Sequence, residues 1–325
     1  MSHPRPFQFG VQSFSAESAT QWKDRARRAE ELGYYALTLA DHFLGPGPAL
    51  ESTMHPLQTL APVPAMAVAA EVTSTLRIGC RVFCMDYRHP VMLAKEAATL
   101  DLLSEGRLDF GIGAGWLKAE YEAVGMTFDR PGVRISRLEE TIALIKQLWS
   151  GEPMDHHGDY FDATGFSGAP VPDPVSNIRI MVGGGGKRVL SLAAREADIV
   201  SFNFDNSSGV LGREGVSSGT PERTQEKIDW VRAAAGDRFD DLVLEIGAYF
   251  TFVMDDPKPV AEGMGAIFGL TADEMVKHPH ALMGGVDAIC DELERRRDEY
   301  GLHYFTVGDE QFEAFAPVVA RLAGK

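Results

Sequence analysis

The chain has 325 residues, 45% apolar and 24% charged, a balance suited to a globular protein with a sizeable core. Its formal net charge of −16 argues against nucleic acid and anionic membrane surfaces as partners, since both call for clustered cations. No apolar run approaches the ~20 residues that span a bilayer, and no apolar signal core precedes Phe7, so a cytoplasmic protein is expected.

Strand-like segments recur along the chain at Phe7–Gln12, Tyr34–Ala40, Leu76–Cys84, Arg107–Gly113, Ile178–Gly183, Asp198–Phe204, Val243–Phe250 and His303–Val307. Amphipathic stretches alternate with them. Ala19, Trp22, Ala26, Ala29 and Leu32 mark the first helical face, and Val91, Ala94, Ala97 and Ala98 another. Ile135, Leu138, Ile142, Ile145 and Leu148 give the clearest. Val286, Ile289 and Leu293, then Phe312, Phe315, Val319 and Leu322, mark the last two. Eight strands each followed by a helix predict an α/β protein, a (β/α)8 TIM barrel, as one domain over residues 1–325. Three stretches are longer than ordinary connectors: Leu44–His55, Gly151–Asn177 and Met254–Met283. They are read as insertions able to cover the C-terminal mouth, with helices at Val260–Phe268 and Ala272–Val276 in the last.

Parallel α/β folds place ligands at the C-terminal ends of their strands. Strand two ends in Ala40-Asp41-His42-Phe43, where Asp41 and His42 are the candidate catalytic pair, because an imidazole exchanges protons near neutrality. Strand three carries Cys80-Arg81-Val82, a candidate wall for a flat ring. Strand four runs into Gly113-Ala114-Gly115-Trp116, where glycines admit close approach and Trp116 offers a stacking surface. Strand five ends in Gly183-Gly184-Gly185-Gly186-Lys187, whose backbone N–H groups at a helix start suit a phosphate. The P-loop ending Gly-Lys-Ser/Thr is missing from that run, which disfavours ATP. The three cysteines form neither a disulfide framework nor a zinc ligand set, so no metal is expected, and no Ser-His-Asp arrangement is legible.

Taken together, these pieces resemble the luciferase-like monooxygenase superfamily, and within it the deazaflavin (coenzyme F420)-dependent oxidoreductases. The carriers are Ala40–Phe43, Arg77-Ile78-Gly79, Tyr87-Arg88-His89-Pro90, Leu93–Asp101, Gly111–Trp116 and Met181–Lys187. Gly236–Asp240, Leu282–Gly285 and Ala314–Gly324 are similar to an actinobacterial and mycobacterial subgroup. The resemblance implies a ring at the barrel mouth, bound by Cys80, Arg81, Val82, Ala114, Gly115, Trp116, Gly183, Gly184, Gly185, Gly186 and Lys187. It also implies a non-prolyl cis peptide at Cys80-Arg81 or Arg81-Val82, with the second bond preferred, and His42 beside the reactive carbon. Hydride transfer between coenzyme F420 and a small organic substrate is the implied activity, with a homodimer expected. FMN, in a two-component monooxygenase, is the alternative cofactor, and a non-catalytic flavin-binding sensor the alternative of another class. Sugar-phosphate dehydrogenases of the family have a Trp shortly after Asp-His-Phe and a Glu after the strand-four glycines. Leu44-Gly45-Pro46 and Trp116 stand there instead, which implies a different substrate and no acid at that position.

Overall fold

Eight parallel strands close into a barrel in the computed structural model, which describes residues 5–173 and 178–325. They are β1 (Gln8–Ser13), β2 (Ala36–Leu39), β3 (Arg77–Cys84), β4 (Leu108–Gly113), β5 (Arg179–Gly184), β6 (Ile199–Phe202), β7 (Val243–Ala248) and β8 (Tyr304–Gly308). Each pairs with its neighbour in the chain, and β8 closes on β1 with Gln8 to Gln12 opposite Tyr304 to Gly308. Helices cover the outside, so strands such as β2 and β4 are buried at every residue, as a parallel sheet covered on both faces requires.

The helical faces read from spacing are the ones that pack. Trp22, Ala26 and Ala29 are buried on Ala19–Glu31, which Ser18 caps by accepting from Gln21 N–H. Leu138, Ile142, Ile145 and Leu148 are buried on Pro131–Trp149. Charge also enters the barrel. Near the strand starts, Asp109 on β4 holds Arg77 at 2.8 Å and Arg179 at 2.8 Å, closing the lower end with an ion cluster.

Two expectations are corrected. The seventh strand does not run on to Phe250: β7 stops at Ala248, and Phe250–Val253 instead pairs in parallel with Ala281–Gly284, outside the barrel. Tyr249, at the break, lies over His280 with ring centroids 5.4 Å apart. The described residues of the middle insertion do not line the mouth. Its residues Pro153–His157 and Asp162–Ser167 form an antiparallel hairpin along the helix Pro131–Trp149, where Glu140 accepts the backbone N–H groups of Asp159, Tyr160 and Phe161. Residues 174–177 of that insertion, like residues 1–4, lie outside the described residues. The first and third insertions do reach the mouth, with His55 from one and Met264 and Phe268 from the other. Helices Lys258–Phe268 and Ala272–Lys277 fall where the sequence places them. Among the described residues no helix is long and apolar enough to cross a membrane.

Candidate active site

The C-terminal ends of all eight strands ring one cavity of about 610 Å³, a volume suited to a ligand of cofactor size. Asp41, His42, Arg81, Val82, Ala114, Gly115, Trp116 and Gly183 to Gly186 all line it. Cys80 and Lys187 do not. The Cys80 side chain is buried in the packing between barrel and helices, because side chains alternate along β3 and Arg81 takes the inward direction. Lys187 is exposed at the start of its helix, and neighbouring Arg188 donates to Gly132 O and Ser136 Oγ.

His42 is held by a residue that the sequence reading passed over. Its Nδ1 lies 2.8 Å from Oε2 of Glu120, which is fully buried. Tyr87 Oη donates to the same carboxylate oxygen at 2.7 Å, and the N–H of Phe43 to Oε1 at 2.9 Å. Burial opposes ionisation of Glu120, but these hydrogen bonds prevail, His42 foremost, and hold the carboxyl below its ordinary range. A carboxylate accepts only, so His42 carries a proton on Nδ1 and Nε2 is the nitrogen left open to the cavity. Glu120 stands on Lys118–Ala123, a helix of six residues, too short for periodicity to reveal its inward side. Position 116 carries no acid, but Glu120, four residues on, brings a carboxylate to His42.

Asp41 plays a different part from His42, since consecutive side chains leave the strand end in different directions. Its carboxylate takes both Nη atoms of Arg88, at 2.6 and 2.9 Å, and the N–H of Cys84 at 3.0 Å. It thus ties the end of β2 to the end of β3 and has no hydrogen bond to His42. Burial pushes the Asp41 carboxyl up, with Arg88 opposing. His55, from the first insertion, lies against His42 with centroids 3.9 Å apart and the rings tilted by 48°, and Trp116 meets the His42 ring edge-on at 5.7 Å.

Across from His42, Val82 sits between two glycine-ended strands. A Cβ on Gly113 would come within 2.7 Å of Val82 Cγ2, and one on Gly183 within 3.4 Å of Cγ1. The Arg81–Val82 peptide is cis. The Arg81 guanidinium crosses the barrel to Glu245 at 2.9 Å, Gln12 at 3.1 Å and Tyr249 Oη at 3.1 Å. Burial works against its charge, yet Glu245 keeps it firmly protonated.

The glycine run turns directly into the helix Lys187–Glu196. A Cβ on Gly184 would strike Val189 Cγ1 at 2.3 Å, and one on Gly185 would strike Phe204 O at 2.2 Å, so both are needed for packing. Gly186 is different: its nearest neighbour in that test is Asp205 Oδ2 at 3.7 Å, leaving room for an acceptor group at the helix N-terminus. A flat wall at Val82 and an open helix start at Gly186, on strands separated by β4, fit a ring that carries a phosphate. Among the described residues no cluster of three or more His, Cys, Asp or Glu side chains forms a metal site.

The comparisons with known proteins follow the same lines. Over 175 residues the chain is 33% identical to the F420-dependent glucose-6-phosphate dehydrogenase of Amycolatopsis mediterranei, an alignment covering 53% of this chain and only 50% of that enzyme. Against the enzyme of the same name from Kribbella flavida it is 32% identical over 272 residues, covering 82% of this chain and 75% of the other. Flavin-dependent oxygenases also stand among its relatives. The fold matches that of the coenzyme F420-dependent tetrahydromethanopterin reductase from Methanopyrus kandleri with a TM-score of 0.75, at 18% identity and 98% coverage of both chains. The profile of the luciferase-like monooxygenase family matches residues 5–318, and the chain belongs to that family.

Proposed function

We propose that the protein is an oxidoreductase that binds the deazaflavin coenzyme F420 and acts on a small organic substrate. The observation that carries this reading is the His42–Glu120 pair at 2.8 Å, facing a cavity whose other half is the Val82 wall and the Gly186 helix start. Residues 82, 113 and 183 would back the ring, and the backbone at Gly185 and Gly186 would take the phosphate. When bound, the deazaflavin supplies or accepts a hydride; the protein supplies orientation and proton handling. His42 Nε2 takes or returns the proton at the substrate oxygen, and Glu120 stabilises the imidazolium that results. Trp116 and the loop after β2 keep water from the reacting face.

The test is titration of purified protein with coenzyme F420 and with FMN, followed by fluorescence. Tight F420 binding with weak FMN binding is expected; the reverse would replace this reading by the FMN-dependent monooxygenase, which the flavin-dependent relatives favour. The proposal includes a cytoplasmic homodimer. The three cysteines, all free and buried, are in keeping with a reducing compartment, and sedimentation velocity checks the dimer.

A further inference from the structure

Two hydrogen-bond donors on the cavity floor have nothing to donate to. Arg81 gives Nε to Glu245 and Nη1 to Gln12 and Tyr249, but among the described residues its Nη2 has no partner. Thr306 Oγ1 has none either. Both side chains line the cavity, and both are buried, at 6% and 3% exposure. A buried donor without an acceptor is costly, so such groups stand where a ligand or a water completes them.

Barrel register brings the two together. Thr306 on β8 is the partner of Gly247 on β7 and of Gly10 on β1. A Cβ on Gly247 would come within 2.7 Å of Arg81 Nη2, and one on Gly10 within 3.1 Å of Thr306 Oγ1. The guanidinium edge thus lies over β7 and the hydroxyl over β8, neighbouring strands ~4.8 Å apart. The glycines on either side of Thr306 add no bulk to this layer, and an oxygen seated there would accept from both groups. One layer down, Tyr304 Oη and Glu245 Oε2 are also without partners. They are themselves register partners, one a donor and the other an acceptor, so a single water between them serves both. The upper layer differs, since the Arg81 N–H only donates and the Thr306 hydroxyl is free to do the same.

We propose that this floor is an acceptor site of the substrate. Arg81 Nη2 and Thr306 Oγ1 together hold a carbonyl or carboxylate oxygen, distinct from the oxygen that exchanges a proton with His42. The substrate is then a compound oxygenated at two positions, and Thr306 is a specificity-determining residue. The inference rests on the reading above that a cofactor fills the β3–β5 half, which leaves β7, β8 and β1 to the substrate.

Ligand-observed NMR titration of the protein loaded with oxidised deazaflavin, which has no hydride to give, tests it. The probes are cyclohexanone, cyclohexanecarboxylate and methylenecyclohexane, the last with a CH2 where the ketone has its oxygen. Thr306→Val keeps the shape and removes the hydroxyl. Ketone affinity should fall about fivefold, the worth of one hydrogen bond, while methylenecyclohexane loses nothing. Whichever of ketone and carboxylate loses more names the acceptor that the substrate carries. Gly10→Ala fills the same space from β1 and should weaken the ketone at least as much. The melting temperature of the free protein should not fall in Thr306→Val, because its hydroxyl has no protein partner to lose. Absence of ketone and carboxylate binding, equal effects on ketone and methylenecyclohexane, or a lowered melting temperature would overturn the proposal. So would loss of ketone binding in His42→Ala, which would place the oxygen on the histidine, or a matching loss of deazaflavin affinity in Thr306→Val, which would give the floor to the cofactor. Failure of the wild type to bind deazaflavin would defeat the cofactor reading instead, and the same titrations on the apo-protein would still decide the floor.

Discussion

Glu120 Oε2 receives both His42 Nδ1, at 2.8 Å, and Tyr87 Oη, at 2.7 Å, so one buried oxygen orients the imidazole and is itself fixed from a second loop. Such an arrangement sets the tautomer and stabilises a proton on Nε2. His42→Ala should lower turnover by about 10²–10⁴, the usual worth of a positioned acid–base, with cofactor affinity within a few-fold of wild type. Glu120→Gln keeps the shape but removes the charge that stabilises imidazolium, and should lower kcat by about 10–10² while KM changes little. Steady-state kinetics normalised to cofactor-loaded protein checks both. Full activity per loaded site in His42→Ala would remove it from the mechanism.

The anion site is best tested at Gly186. Gly184→Val would collide with Val189, whose Cγ1 lies 2.3 Å from the added Cβ, so it reports packing rather than ligand binding. At Gly186 an added Cβ finds its nearest neighbour at 3.7 Å. Gly186→Asp should therefore fold normally, by circular dichroism, while its carboxylate repels the cofactor phosphate and lowers affinity at least tenfold. Unchanged affinity in a folded Gly186→Asp protein would place the phosphate elsewhere.

The sequence made the barrel legible because strands buried on both faces are continuous apolar runs, and because helices such as Pro131–Trp149 keep their apolar stripe over many turns. The strand ends were legible as places. Their partners were not. Asp41 and His42 are neighbours in the chain, yet one belongs to Arg88 and the other to Glu120, 78 residues away. The motif Tyr87-Arg88-His89-Pro90 could be read as a signature, but not as what it does: Tyr87 steadies Glu120, Arg88 holds Asp41, and His89 caps the helix Pro90–Leu103. Side-chain pairing across strands depends on barrel closure, which no local pattern encodes. The hairpin after Pro131–Trp149 was missed because its residues are mostly exposed, and exposed strands in a two-stranded ribbon lack the alternation that marks a half-buried sheet.

Arg81 and Glu245 form a nearly dry ion pair at 2.9 Å across the top of the barrel. Removing one partner leaves an unpaired buried charge, a loss of about 3–5 kcal/mol in comparable cases. Arg81→Met should destabilise the protein by that order, and Glu245→Gln somewhat less, since the amide can still accept from the guanidinium. The double variant Arg81→Met/Glu245→Leu should lose less than the sum of Arg81→Met and Glu245→Leu, because no charge is stranded. Urea unfolding of the variants measures the coupling; strict additivity would show that the pair is not energetically linked.

Acid sensitivity is expected from buried histidines that do not line the cavity. Burial pushes His278 and His303 each down to about 4, and His280 well below the ordinary value of 6.5. All three are neutral in the folded chain and become free to protonate on unfolding. The sign follows directly: the unfolded state binds more protons below pH 6.5, so stability is fully present above that value and declines as pH falls toward 4. Each such group contributes a slope of up to ~1.4 kcal/mol per pH unit in this window. Carboxylates held low, such as Glu120 and Glu292, begin to contribute only as pH approaches their ordinary value of 4.5, so the two classes separate. Melting temperature should be flat from pH 8 to 7 and fall steadily from 6.5 to 5. His303 Nδ1 donates to Gly301 O at 2.9 Å, a bond that a glutamine amide can replace without titrating. His303→Gln should therefore lower the steepness of that decline relative to wild type, with the cavity and its ligands untouched. An identical slope in His303→Gln would mean that His303 protonates in the folded state, against its burial.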